Sequence, residues 1–146
     1  GIYQMKGNFK MKVTVIHMPH PSTDEDAIRV AEVSIPAEIK DHAAACEYAY
    51  HRTQNIFGSW SIKDGNADNC DSVLRIAPLH EIDGKEYGLR SSMMGDEFIV
   101  HDDNAWEDCG QGSVYECAML GFEFKHEMRL VGYGERAIVA QTVEWA

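Results

Sequence analysis

The chain has 146 residues, of which 45% are hydrophobic, 10% aromatic and 25% charged, with a net charge of −11. Such a balance fits one folded domain spanning residues 1–146 with a core that needs no staples, and it excludes a disordered chain. The acidic excess repels phosphate backbones, which proteins bind through Lys and Arg, so direct binding of duplex DNA is excluded as the main function. No apolar run approaches the roughly 20 residues of a membrane helix.

The N-terminal GIYQMKGNFKMK lacks an apolar h-region, which predicts no signal peptide and a cytoplasmic location. Met5 and Met11 are both candidate starts, so residues 1–10 stay open as native or leader. Residues 10–18, KMKVTVIHM, alternate and predict a strand. The polar HPSTDED, with Pro19 before it and Pro21 inside it, is a link. IRVAEVSI (28–35) predicts a second strand forming an antiparallel hairpin with the first, although DEDAIRVAEV also reads as a short helix. Pro36 suits the first turn of a helix. Residues 37–55 predict that helix, with Ile39, Ala43, Cys46 and Tyr50 on one face and a stop at Asn55 and Gly58. Trp60 in the following connection reads as a plug at the rim of the core.

Residues 73–79 predict a short strand, and Asp83-Gly84 a hairpin turn within 81–88. Strands are expected at 97–102 and 114–120, with FEFK continuing extended after Gly121. Residues 129–146 read as a final hairpin with Gly132 and Gly134 near its turn. The expected architecture is α+β, one main helix packed on a mostly antiparallel, curved or barrel-like sheet.

Signals for chemistry are sparse. Cys46, Cys70, Cys109 and Cys117 are scattered, without the close-spaced pairs of a zinc clip, so neither metal nor disulfide is expected. His17 and His20 form H-x-x-H with no third ligand nearby, and His101-Asp102-Asp103 reads as a solvated hairpin tip rather than a calcium loop. No nucleophile elbow, P-loop, dinucleotide turn or H-E-x-x-H is present, so no cofactor and no catalytic residue are expected. A Cys–His or carboxylate pair meeting only in space would make the chain an enzyme, and remains the third reading.

Two stretches stand out. No Lys or Arg falls between Arg90 and Lys125, while Asp96, Glu97, Asp102, Asp103, Glu107, Asp108, Glu116 and Glu123 do. This field would attract a basic protein surface or simply confer solubility. The second is GLRSSMMGDEF (88–98). Gly95-Asp96 reads as a turn starting the strand at 97, with Arg90 able to pair with Asp96 or bind an anion. Of Met93 and Met94, one is exposed and open to a partner, or both fold under the loop.

Three phrases carry a resemblance: YHRTQNIFGSW (50–60), APL at 77–79 followed by GLRSSMMGD (88–96), and YECAMLGF (115–122). In combination they resemble small accessory proteins of bacteriophages and other mobile elements, and the last two resemble YodL-like domains. The family-like core covers about residues 43–125, with 126–146 as a C-terminal hairpin. The chain departs from the pattern at Met93, where the family more often has Ser, and in an enlarged acidic loop, HDDNAWEDCGQGS. The resemblance implies an accessory protein acting on a host system and brings no chemistry with it.

The expected function is therefore binding of a basic host protein through Asp96, Glu97, Asp102, Asp103, Glu107, Asp108 and Glu116, in host takeover or anti-defence. The alternative is a small-ligand or nucleotide module, with Arg90, Ser91 and Ser92 binding an anionic group and Trp60 stacking on a ring. The sequence leaves the oligomeric state open.

Overall fold

The computed structural model describes residues 10–20, 22, 26–62, 72–102, 111–131 and 139–142. The alternating runs become β1 (Met11–His17) and β2 (Ile28–Ser34), an antiparallel pair running from Lys12 opposite Ser34 to His17 opposite Ile28. The helical reading of 24–33 fails because Ile28, Val30 and Val33 fit a pleated surface with a neighbour on each side. That second neighbour is β3 (Val73–Arg75), shorter than the run to residue 79 predicted. Next come β4 (His80–Ile82) and β5 (Lys85–Tyr87), a separate hairpin turning on Asp83 and Gly84 at φ of 53° and 79°. Positive φ at both turn residues is what a type I′ two-residue hairpin turn requires.

The remaining strands are β6 (Glu97–Asp102), β7 (Gln111–Ala118), β8 (Gly121–Val131) and β9 (Val139–Thr142). FEFK does not prolong β7: the chain reverses at Met119-Leu120, and Ala118 pairs with Gly121. The terminal hairpin forms between β8 and β9, while Gly132 and Gly134 lie outside the described residues. Seven strands make one antiparallel sheet in the order β3-β2-β1-β6-β7-β8-β9. A barrel is not formed: closure needs a ladder between β3 and β9, which are instead the two edges of an open sheet.

One helix among the described residues, α1 (His42–Arg52), completes the α+β arrangement. It starts at His42 and not at Pro36, because the Asp41 carboxylate accepts the Ala44 N–H at 2.9 Å and caps it there. Pro36 instead closes a separate turn by accepting the Ile39 N–H. The buried face is accordingly rotated to Ala45, Cys46 and Ala49, with Ala43 exposed. The helix ends at Thr53, before Asn55, where the Thr53 N–H reaches the Tyr50 carbonyl.

Small side chains let α1 lie closely on β1, β6 and β8. Beneath it sit Val13, Val15, Phe98, Val100 and Leu89, with Trp60 buried among them as the rim plug the sequence implied. Phe98 meets Phe122 edge-on at 5.2 Å. The other face holds a smaller cluster of Ile16, Ile99 and Val114, packed by Met18 and Ala27. Burial on both faces is why the centre of β6, Phe98 to Val100, is apolar without interruption. No helix among the described residues is long and apolar enough to cross a membrane.

Gly112 shows how tightly β6 and β7 approach. A Cβ there would stand 2.5 Å from Ile99 Cγ2 and 2.9 Å from the Val100 carbonyl oxygen. Gly112→Val should therefore cost about 1–3 kcal/mol by overpacking. Urea denaturation reads this as a lowered midpoint, and an unchanged midpoint would show that the two strands separate freely.

Candidate functional site

The stretch 88–98 is a structural corner organised by Asp96. Gly95 takes φ of 94°, and the Asp96 N–H closes the turn on the Met93 carbonyl at 3.0 Å. Two further bonds stitch the turn to β7: Gly95 N–H to the Cys117 carbonyl at 2.8 Å, and Cys117 N–H to the Asp96 carbonyl at 2.9 Å. The Asp96 side chain is buried and fully engaged. Its Oδ1 accepts from the Met18 N–H and Arg90 Nη2, both at 2.9 Å. Its Oδ2 accepts from the Met93 N–H and Arg90 Nη1, both at 2.8 Å. The bidentate fork is the strongest form of this ion pair.

Beside it runs a chain of hydroxyls. Thr53 Oγ1 donates to the Ala49 carbonyl at 2.9 Å, so it accepts from Ser92 Oγ at 2.7 Å. Ser92 in turn accepts from His17 Nε2 at 3.0 Å. Asp96 Oδ2 lies 3.9 Å from the same nitrogen. Ser, His and Asp thus meet, but not as a catalytic triad. A triad base accepts the serine proton and holds its carboxylate on the other ring nitrogen. Here the proton directions run the opposite way, both partners face Nε2, and Ser92 is buried. The assembly is a packing device.

The four residues of the ligand reading each have partners within the protein. Trp60 is buried, and its indole N–H donates to the Arg90 carbonyl at 2.8 Å, so its ring is not free to stack on a ligand. Ser91 Oγ accepts the Asn55 N–H at 2.8 Å, Ser92 belongs to the hydroxyl chain, and Arg90 grips Asp96.

The acidic set divides. Asp96 is internal and contributes nothing to a surface, contrary to expectation. Glu97 and Glu116 stand directly opposite each other across β6 and β7, and Glu116 stands opposite Glu123 across β7 and β8. Lys125 Nζ reaches Glu97 at 2.9 Å and Glu116 at 3.3 Å. Their bonds and charges raise the Lys125 pKa, keeping it an ammonium. Asp102 is exposed and accepts from His42 Nε2 at 2.8 Å, while His42 Nδ1 accepts from the Tyr115 hydroxyl at 2.8 Å. Burial, then the charges around it, raises the Tyr115 pKa, so the phenol keeps its proton, and this series pins the start of α1. Asp103, Glu107 and Asp108 lie outside the described residues, as do Cys70 and Cys109.

Other candidates find structural roles. His101 is not at a hairpin tip. It is buried within β6, with Nε2 2.8 Å from Thr14 Oγ1. His17 and His20 do not converge, since His20 is exposed and bonds Ser22. Burial pushes the Cys46 thiol up to about 12 and raises that of Cys117, so both are unreactive thiols. No cluster of His, Cys, Asp or Glu among the described residues could hold a metal ion.

What the sequence reading passed over is apolar. Ile56, Phe57, Met119 and Leu120 are exposed, and Met93 and Met94, expected to have one exposed or both folded under, are both exposed at 54% each. The signal was present: Ile56-Phe57, Met93-Met94 and Met119-Leu120 each directly precede a glycine, and all three glycines have positive φ. Apolar residues in or beside a tight turn at the surface have no interior to enter.

Burial pushes the His17 imidazole down to about 4, against a smaller upward pull from Asp96, with Arg90 adding to the depression. An unfolded histidine titrates near 6.5. Between those values the unfolded chain binds a proton that the folded chain refuses, so stability is complete above pH 6.5 and falls as the pH drops. Between pH 7 and 5 the loss should reach roughly 2 kcal/mol from this group. Urea midpoints measured across that range should slope downward in the native chain, and His17→Gln should flatten the slope.

No protein-family model matches the chain, and neither curated proteins nor solved structures yield a match.

Proposed function

We propose that this chain is an accessory protein that acts by binding a host protein through a basic surface of that partner, with the acidic face of β6, β7 and β8 in the interface. The observation that carries this reading is the cross-strand row Glu97–Glu116–Glu123. Like charges directly opposite one another on neighbouring strands destabilise a sheet. Lys125 offsets this for two of the three, and Glu123 has no cationic partner among the described residues. A face that carries such a cost to the fold is suited to receive Lys and Arg from outside.

The resemblance to accessory proteins of phages and mobile elements supports a host component as the partner, met in the host cytoplasm during takeover or in countering defence. A net charge of −11 supports fast, salt-sensitive association with a basic surface, such as that of a nucleic-acid enzyme. The Arg90–Asp96 corner then serves as scaffold for the interface rather than as a ligand site.

Glu123→Lys separates stability from function. It should raise the thermal midpoint, by about 0.5 kcal/mol of relieved repulsion, and weaken partner binding. The partner is found by pull-down from host lysate at low and high salt with mass spectrometry. A basic protein retained at low salt, lost at high salt and lost from Glu116→Lys/Glu123→Lys is the expected result. A partner insensitive both to salt and to that charge reversal would refute the acidic interface.

A further inference from the structure

The three apolar turns share one end of the sheet. Ser92 N–H bonds the Thr53 carbonyl at 3.0 Å and Asn55 N–H bonds Ser91 at 2.8 Å, which holds the turn of Ile56-Phe57 against the loop of Met93-Met94. Gly95 N–H bonds the Cys117 carbonyl at 2.8 Å, which holds that loop against the turn of Met119-Leu120. The fork of exposed Arg90 on buried Asp96 fixes the middle loop to the end of β1. Phe57 is 86% exposed, Met119 81% and Leu120 98%, so these side chains stand clear of the surface. Scattered apolar residues on a surface need no explanation, but three turns of one design, locked together, present a patch.

The carboxylate row begins next to this patch. Glu116 precedes Ala118 by two residues and Glu123 follows Gly121 by two, so each lies roughly 7 Å along its strand from the Met119-Leu120 turn. A partner must therefore offer an apolar strip with a basic strip beside it. An amphipathic helix does so within its own diameter of roughly 10 Å. A second copy of this chain does not, because it would bring a like charge of −11 to the contact.

Resting on the reading of an acidic, partner-binding face, we infer that the turns of Ile56-Phe57, Met93-Met94 and Met119-Leu120 form a preorganised docking ridge for a basic amphipathic helix of the partner protein. Its apolar stripe packs on the ridge, and its Lys or Arg flank meets Glu116 and Glu123. Because the hydrogen bonds between the turns are already made, docking orders little new structure.

The test uses the full chain and a labelled helical peptide of about five turns, Leu on one face and Lys on the other. Fluorescence anisotropy reads its binding. The native chain should bind this peptide, bind a version with Ala in place of Leu at least roughly tenfold more weakly, and ignore a Leu/Glu version. Phe57→Ser/Leu120→Ser should lose roughly tenfold or more for the Leu/Lys peptide with its circular dichroism unchanged. Should the double variant fold poorly, Leu120→Ser alone carries the test, since that side chain is almost wholly in solvent.

Undiminished binding by the ridge variants overturns the inference. If Glu116→Lys/Glu123→Lys still abolishes that binding, the acidic face stands without the ridge. If it does not, both fail. No binding by the native chain, a dimer dissolved by Leu120→Ser, or uptake by phosphatidylcholine vesicles that Leu120→Ser abolishes would each assign the ridge to a different occupant and overturn the helix.

Discussion

One buried carboxylate holds this end of the molecule together. Asp96 accepts four hydrogen bonds, two from backbone amides and two from one guanidinium. Burying a charge is costly, and a buried carboxylate stripped of its partner typically costs a protein about 3–5 kcal/mol. The four donors must therefore arrive together: Met18 past the end of β1, Met93 in the corner, and Arg90 before it. The outcome is geometric as much as energetic. Asp96 carries a β1–β6 crossing, the stitch to β7 and the placement of the loop, so none of these can shift without stranding the charge.

The same corner shows how groups familiar from catalysis can serve architecture. Serine, histidine and aspartate lie within contact of one another, yet the order of protons excludes an activated nucleophile. Thr53 donates to a helix carbonyl, so Ser92 donates to Thr53, and His17 donates to Ser92. The imidazole is kept neutral by burial, and a neutral donor is what that chain requires. The histidine thereby ties β1 to the loop and, through Thr53, to the end of α1. Cys46 and Cys117 follow the same logic, since burial holds both as thiols within the core.

Much of this was legible in the chain, and the failures have specific causes. The strands at 10–18, 28–35 and 97–102 declared themselves by pattern, and Asp83-Gly84 by turn chemistry. The arginine–aspartate pairing across Gly95 was readable as well, because a tight turn brings positions six apart together. The start of α1 was misplaced because Pro36 and Asp41 are both good openers, and a capping side chain outweighs a merely tolerated proline. The burial of Asp96 and Ser92 was invisible because it depends on contacts 39 to 78 residues apart along the chain. Composition assigns an aspartate to the surface, and only the arrival of Arg90 and two amides reverses that. The apolar turns were overlooked for the converse reason: strand logic assigns pairs such as Met119-Leu120 to a core, although the glycine after each pair already marked a reversal.

An acidic protein with exposed apolar turns faces a conflict that its charge resolves. Leu120 and Phe57 in water favour contact with any apolar surface, including another copy of the chain. The hydrophobic part of such a contact is indifferent to partner identity. Electrostatics are not: a net charge of −11 opposes self-association and favours partners of opposite sign. The row Glu97–Glu116–Glu123 places part of that charge next to the apolar turns, where attraction and repulsion are least screened by distance. In the proposed complex, discrimination comes from the acids and contact energy from the turns. Neither group serves the interior: Glu116 faces a like charge on each neighbouring strand, and the apolar turns leave their side chains in solvent.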